Sequence, residues 1–160
     1  MATNPDIDSM YSIRSMHTDD VQRVMEIENQ VYNHTWTEAI FHDCMRVGYD
    51  CWVLEIDSHV QGYGLVAVAA GEAHILNICV AREYQRKGYG RQLLHKLLNI
   101  AEQKAADFIY LEVRGANTAA IELYHTEGFC QLGERKNYYP AAVGREAALV
   151  FAKALNLPDE

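Results

Sequence analysis

Hydrophobic and polar positions along this chain switch repeatedly between a period of two and a period near 3.6, which predicts strands interleaved with helices. Residues 11–14 are short and alternating, a strand; Thr18-Asp19-Asp20-Val21 then opens a helix whose period is carried by Val21, Val24, Met25, Ile27, Glu28 and Val31. A second short helix is expected over 37–45, capped by Thr37, entered just after Trp36 and ended by Gly48. Residues 51–56 and 60–69 are apolar enough for strands joined by a turn at Asp57-Ser58-His59, and Gly71-Glu72 marks the next turn. The β-branched run 75–80 predicts a fourth strand, and Leu93, Leu94, Leu97 and Leu98 place a third helix after it. A fifth strand over 108–113, a helix over 118–127 closed by Gly128, and strands over 130–138 and 146–154 complete the chain. The order β-α-α-β-β-β-α-β-α-β-β argues for an α/β fold, a mixed sheet with helices on both faces.

Composition narrows the class. At 160 residues, 49% hydrophobic and 22% charged, the chain reads as one globular domain over 10–160. Residues 1–9 carry acids and no apolar core, so they read as a flexible extension and not as a signal peptide. No apolar run approaches the ~20 residues that span a bilayer, so a soluble, cytoplasmic protein without membrane association is expected. Cys44, Cys51, Cys79 and Cys130 lack Cys-x-x-Cys spacing and the seven histidines form no i, i+4 pair, so neither a metal nor a disulfide framework is expected. A net charge of -8 disfavours direct nucleic-acid binding and suits a basic protein partner.

Against that acidic background, residues 82–96 hold five basic side chains (Arg82, Arg86, Lys87, Arg91, Lys96) and one acid, Glu83. They flank the turn Gln85-Arg86-Lys87-Gly88-Tyr89-Gly90 between the fourth strand and the third helix. Glycine permits a sharp turn and close backbone approach, so successive N–H groups and then the helix N-terminus can converge on a phosphate. The turn is not a Walker loop, since no Gly-Lys-Ser/Thr follows, and it lacks the third glycine and distal acid of a dinucleotide site. A plain strand-to-helix connection with a solvated basic face is the competing reading.

Gln85, Gly88 and Gly90 fit the Q/R-x-x-G-x-G/A pattern, and residues 111–129 read LEVRGANTAAIELYHTEGF. In these blocks the chain resembles the GNAT superfamily of acyl-CoA-dependent N-acetyltransferases. Arg135-Lys136-Asn137-Tyr138-Tyr139-Pro140 and Gly144-Arg145-Glu146 resemble the ending of the bacterial RimI type, which acetylates the N-terminal alanine of a small-subunit ribosomal protein. The resemblance covers about residues 10–155. It implies a mostly antiparallel GNAT sheet whose fourth and fifth strands splay apart around a pantetheine cleft. It also implies acetyl-CoA as cosubstrate, and a ribosomal protein N-terminus as acceptor; oligomeric state is left open.

Site roles follow from the same resemblance. Arg86, Lys87, Gly88, Tyr89, Gly90 and Arg91 hold the pyrophosphate of coenzyme A, and the backbone of Ile78, Cys79 and Val80 pairs with pantetheine and polarises the acetyl carbonyl. Asn117 is a coenzyme A contact, or a plain helix cap, and the two roles are compatible. Glu112 is the proton acceptor, acting through water, unless it is simply an exposed strand-end acid. An α-amine titrates near 7.7–8.0, so roughly one in ten is already neutral at pH 7 and only modest base help is needed. Tyr124 donates a proton or hydrogen bond to the departing sulfur, or is a core tyrosine. A phenol near pKa 10 is a weaker acid than a thiol near 8.5, so full transfer is uphill by about 2 kcal/mol and hydrogen bonding is the easier role.

Tyr138 and Tyr139 resemble a lip over the acceptor, with buried hairpin aromatics as the alternative, and the segment around Trp36 helps shape the acceptor pocket. That segment reads Thr35-Trp36 where the RimI type commonly has Pro-Trp. The departure leaves the acceptor open: a small amine or a lysine are rivals to an α-amine, and a noncatalytic acyl-CoA-binding subunit is a rival to any enzyme. No cysteine falls in the matched catalytic block, so direct transfer in a ternary complex is expected.

Overall fold

The computed structural model describes residues 10–32, 35–140 and 145–156, with 137–140 and 145–146 described as backbone only. They group into two compact units, one from residues up to 67 together with 76–100, the other from 68–75 and 101 onward.

The first unit begins with β1 (Tyr11–Ser15), a 3-10 turn at Thr18–Asp20, α1 (Val21–Val31) and α2 (Glu38–Arg46). It continues through β2 (Asp50–Ile56), most of β3 (His59–Ala69), the C-terminal part of β4 (Glu72–Val80) and most of α3 (Tyr89–Gln103). Strand order is β1-β2-β3-β4. β1 and β2 pair antiparallel from Tyr11↔Ile56 to Ser15↔Trp52, and β2 pairs antiparallel with β3. The β2–β3 turn is tighter than the three-residue expectation: Asp57 and Ser58 alone make it, at φ 50 and 70, the left-handed pair that matches the twist of a two-residue hairpin.

Alternation along β2 sends its side chains into two cores. Val53 joins Val21, Val24, Ile27, Phe41, Tyr63 and Leu65 under α1 and α2, whereas Leu54 and Ile56 join Val80, Tyr89 and Leu93 of α3. Helices on both faces follow from that split. Thr37 caps α2 as expected, its side chain accepting from the Ile40 N–H, and Leu93, Leu94, Leu97 and Leu98 are all buried.

The second unit contains the N-terminal part of β4, β5 (Phe108–Arg114), α4 (Thr118–Thr126), β6 (Cys130–Pro140) and β7 (Arg145–Ala154), with strand order β4-β5-β7-β6. β4 and β5 run parallel through three residue pairs, Glu72↔Phe108 to His74↔Tyr110. β5 and β7 pair antiparallel from Phe108↔Ala154 to Arg114↔Ala148. Ile109, Leu111 and Val113 are buried while the alternate residues Tyr110 and Glu112 are half-buried and Phe108 is exposed. This period of two decides which way Glu112 faces: opposite to the packed side of β5.

Candidate active site

In the first unit, β4 leads through a 3-10 turn (Arg82–Tyr84) to α3. The connecting turn is held at its start by the Gln85 amide, whose Nε2 donates to the Val80 carbonyl at 2.9 Å. Two residues then take left-handed backbone, Arg86 at φ 62 and Gly88 at φ 93. Glycine adopts this at no steric cost, whereas Arg86 pays a conformational penalty that marks the turn as structurally over-determined. The first intrahelical bond of α3 is Gln92 N–H to Gly88 C=O at 3.2 Å, so the N–H groups ahead of it point out of the helix N-terminus, as an anion site requires.

Arg86 and Lys87 are exposed and Arg91 is half-buried, with the Lys87 ammonium 5.9 Å from the Tyr84 ring centroid. Tyr89 differs from its neighbours: its ring is 2% exposed and lies edge-on to Tyr11 and Tyr84. It can offer a ligand its backbone only. The arrangement can bind an anionic, phosphate-bearing group through backbone donors with cationic side chains around it.

β4 supplies Ile78, Cys79 and Val80. Ile78 is half-buried, and Cys79 and Val80 are buried. Burial pushes the Cys79 thiol up to about 12, and Cys51 likewise. All four cysteines are free, and Cys130 is the exposed one. Trp36, just ahead of α2, is half-buried with its ring 5.1 Å from Phe41.

One functional candidate in this unit is absent from the motif-based reading. Glu28 of α1 is 2% exposed and accepts three hydrogen bonds: from Tyr63 Oη at 2.6 Å, Asn77 Nδ2 at 2.8 Å and the Trp36 backbone N–H at 3.0 Å. Its signal was present in the helical period, where a carboxylate occupies an inward position among valines and isoleucine.

In the second unit, β5 carries Glu112 at its fifth position, half-buried, with Oε1 3.3 Å from Nη2 of Arg135 on β6. Asn117 caps α4, its Oδ1 accepting from the Ala120 N–H at 3.2 Å, so the capping role is occupied. Tyr124 sits one side of α4, 5% exposed, with its ring against Phe129 and Phe151. Gly128 at φ 89 ends the helix and lets Phe129 N–H reach back to the Tyr124 carbonyl at 2.9 Å, which fixes the tyrosine's backbone. Tyr138 and Tyr139 belong to β6 as backbone; their side chains lie outside the described residues. Among the described residues no group of three or more His, Cys, Asp or Glu could hold a metal ion, and no helix is long and apolar enough to cross a membrane.

β4 thus runs parallel to β5 through three residue pairs, and a glycine turn leads β4 into the N-terminus of α3. The acetyltransferase (GNAT) family profile matches residues 12–129, and the chain belongs to that family. The [ribosomal protein bS18]-alanine N-acetyltransferase of Escherichia coli K12 is 34% identical over 148 residues, 92% of this chain and 100% of the relative. The crystal structure of the Escherichia coli ribosomal-protein-S18-alanine N-acetyltransferase superposes with a TM-score of 0.88 over 94% of this chain and 97% of that one. The fold is also that of yncA from Salmonella typhimurium, solved with its cofactor acetyl-CoA, at 20% identity and a TM-score of 0.80 over 95% of this chain and 98% of that one.

Proposed function

We propose that this protein transfers the acetyl group of acetyl-CoA to the N-terminal α-amine of a protein, the acceptor being the N-terminal alanine of a small-subunit ribosomal protein in the cytoplasm. The observation that carries the reading is the left-handed turn at Arg86 and Gly88 feeding the α3 N-terminus, in a chain that matches the bS18-alanine acetyltransferase along that relative's whole length.

The residues divide the chemistry as follows. Backbone donors of 88–91, with the Arg86, Lys87 and Arg91 cations, hold the pyrophosphate of acetyl-CoA. Asn117 adds a contact to coenzyme A. Backbone N–H groups of residues 78–80 orient the pantetheine arm and stabilise the oxyanion as the amine attacks the thioester carbon. Glu112, with Arg135 3.3 Å away, takes the amine proton through water. The C–S bond breaks as the tetrahedral intermediate collapses, and the Tyr124 hydroxyl donates a hydrogen bond to the leaving thiolate. Trp36 lines the acceptor side.

The test is acetyl transfer to a synthetic peptide with an alanine N-terminus, beside one with a blocked N-terminus and free lysines, the product mapped by mass spectrometry. Acetylation of the open α-amine alone is expected. Acetylated lysine on the blocked peptide would refute the N-terminal assignment, and binding of acetyl-CoA without transfer to either would refute the acceptor class.

A further inference from the structure

We propose that Glu28 is a positioning residue for the acceptor: its buried carboxylate locks the Trp36 segment to β3 and β4, and so sets the shape against which the acceptor binds. The inference rests on the assignment of Trp36 to the acceptor side.

A carboxylate that is 2% exposed is costly to retain, and its three named donors are neutral groups. Leucine at this position of α1 would extend the core of Val24 and Ile27 without that cost, so packing does not explain the residue. The geometry does. Oε1 gathers the Tyr63 hydroxyl of β3 and the Asn77 amide of β4, and Oε2 takes the backbone N–H of Trp36.

Just past the end of α1, Tyr32 Oη donates to the Ile78 carbonyl at 3.0 Å, so α1 and its C-cap residue grip β4 at two adjacent residues. The tie to β3 is also doubled, because the Trp36 ring lies 5.1 Å from Phe41, which stands edge-on to Tyr63 at 5.6 Å. Glu28 is thus the point at which the chain ahead of α2 is registered against Asn77, next to the residues assigned to the pantetheine arm.

Glu28→Gln separates the contacts. If its oxygen keeps the Tyr63 and Asn77 bonds, its amide NH2 faces the Trp36 N–H, donor against donor, and the segment is released while the helix stays packed. The experiment compares wild-type protein, E28Q and Val24→Ala, a core truncation on the same helix, in steady-state acetylation of the alanine peptide and in amide hydrogen exchange at Trp36. For E28Q the acceptor KM should rise about tenfold, with kcat and the acetyl-CoA KM within about twofold of wild type and the Trp36 amide exchanging at least about tenfold faster. V24A should lose thermal stability with an unchanged acceptor KM.

A folded E28Q with wild-type acceptor KM overturns the proposal, as does an equal rise in V24A or a loss confined to kcat. Should wild-type protein acetylate no acceptor, the proposed function fails by itself. The clamp then stands on faster Trp36 exchange in E28Q and falls if that exchange is unchanged.

Discussion

Two glycines of β3 offer a measurement of how tightly this sheet is packed. A Cβ added at Gly62 would lie 3.0 Å from the Cys79 carbonyl oxygen, 3.2 Å from Leu93 Cδ1 and 3.3 Å from Leu54 Cδ2. At Gly64 the three nearest atoms all belong to the Leu97 side chain, the closest at 3.1 Å. The first site is walled by backbone, the second by the end of a flexible side chain.

Overpacking a rigid site costs roughly 1–3 kcal/mol, and replacing a strand glycine by alanine returns about 0.5–1 kcal/mol through the unfolded state. Gly62→Ala should therefore destabilise by about 1 kcal/mol, lowering Tm by about 2–4 °C for a chain of this size, whereas Gly64→Ala should stay within about 0.5 kcal/mol. Urea denaturation followed by far-UV circular dichroism reads both. The carbonyl that must move is on β4, so G62A should also raise the acetyl-CoA KM while G64A leaves it unchanged. Equal stability of the two variants would refute the packing argument.

Gly88→Ala places a side chain at φ 93, at a cost of about 1–2 kcal/mol, so acetyl-CoA should bind about 5–30-fold more weakly by calorimetry without loss of fold. Glu112→Gln should lower kcat by about 100-fold at pH 7 with acetyl-CoA affinity unchanged, and the deficit should shrink toward pH 9, where the acceptor amine is already neutral; a pH-independent deficit would remove the base assignment. Tyr124→Phe should lower kcat and spare both affinities; unchanged turnover would leave it a packing residue. Arg14 holds the Asp20 carboxyl below the ordinary carboxylate range through hydrogen bonds of 2.8 and 2.9 Å, against the opposing effect of burial. A lowered folded-state pKa contributes stability above the unfolded value and loses it as pH falls through the folded one. Asp20→Asn should thus cost about 1 kcal/mol at pH 7, and the gap to wild type should close below about pH 4 in acid-unfolding curves.

The element order was legible because strong periodic segments were bounded by turn residues: among the described residues, each strand and helix begins within about four residues of the position read from the pattern. The turn between β4 and α3 was legible for the same reason, since Gly88 and Gly90 punctuate a strand-to-helix step. What escaped was long-range. Glu28 satisfies a helical period as a charged exception, and nothing local says that Tyr63 and Asn77, 35 and 49 residues away, will face it. Nor does composition reveal that Arg135 reaches Glu112 across the sheet, since the register of β5, β7 and β6 includes shifts that turn chemistry alone does not specify. Tyr89 was assigned with its loop, yet its ring went to the core, because an aromatic in the first turn of α3 has Tyr11 and Tyr84 beside it.

Cys79 stands in the strand assigned to the donor thioester, and a thiolate there could intercept the acetyl group by thioester exchange, turning a direct transfer into a covalent relay. With burial raising the thiol to about 12, the sulfur stays protonated at pH 7 and is a poor nucleophile. Burial thereby acts as chemical insulation: a sulfur can pack in the donor strand without competing with the amine for the acyl group, and without offering oxidants a nucleophile in the same place.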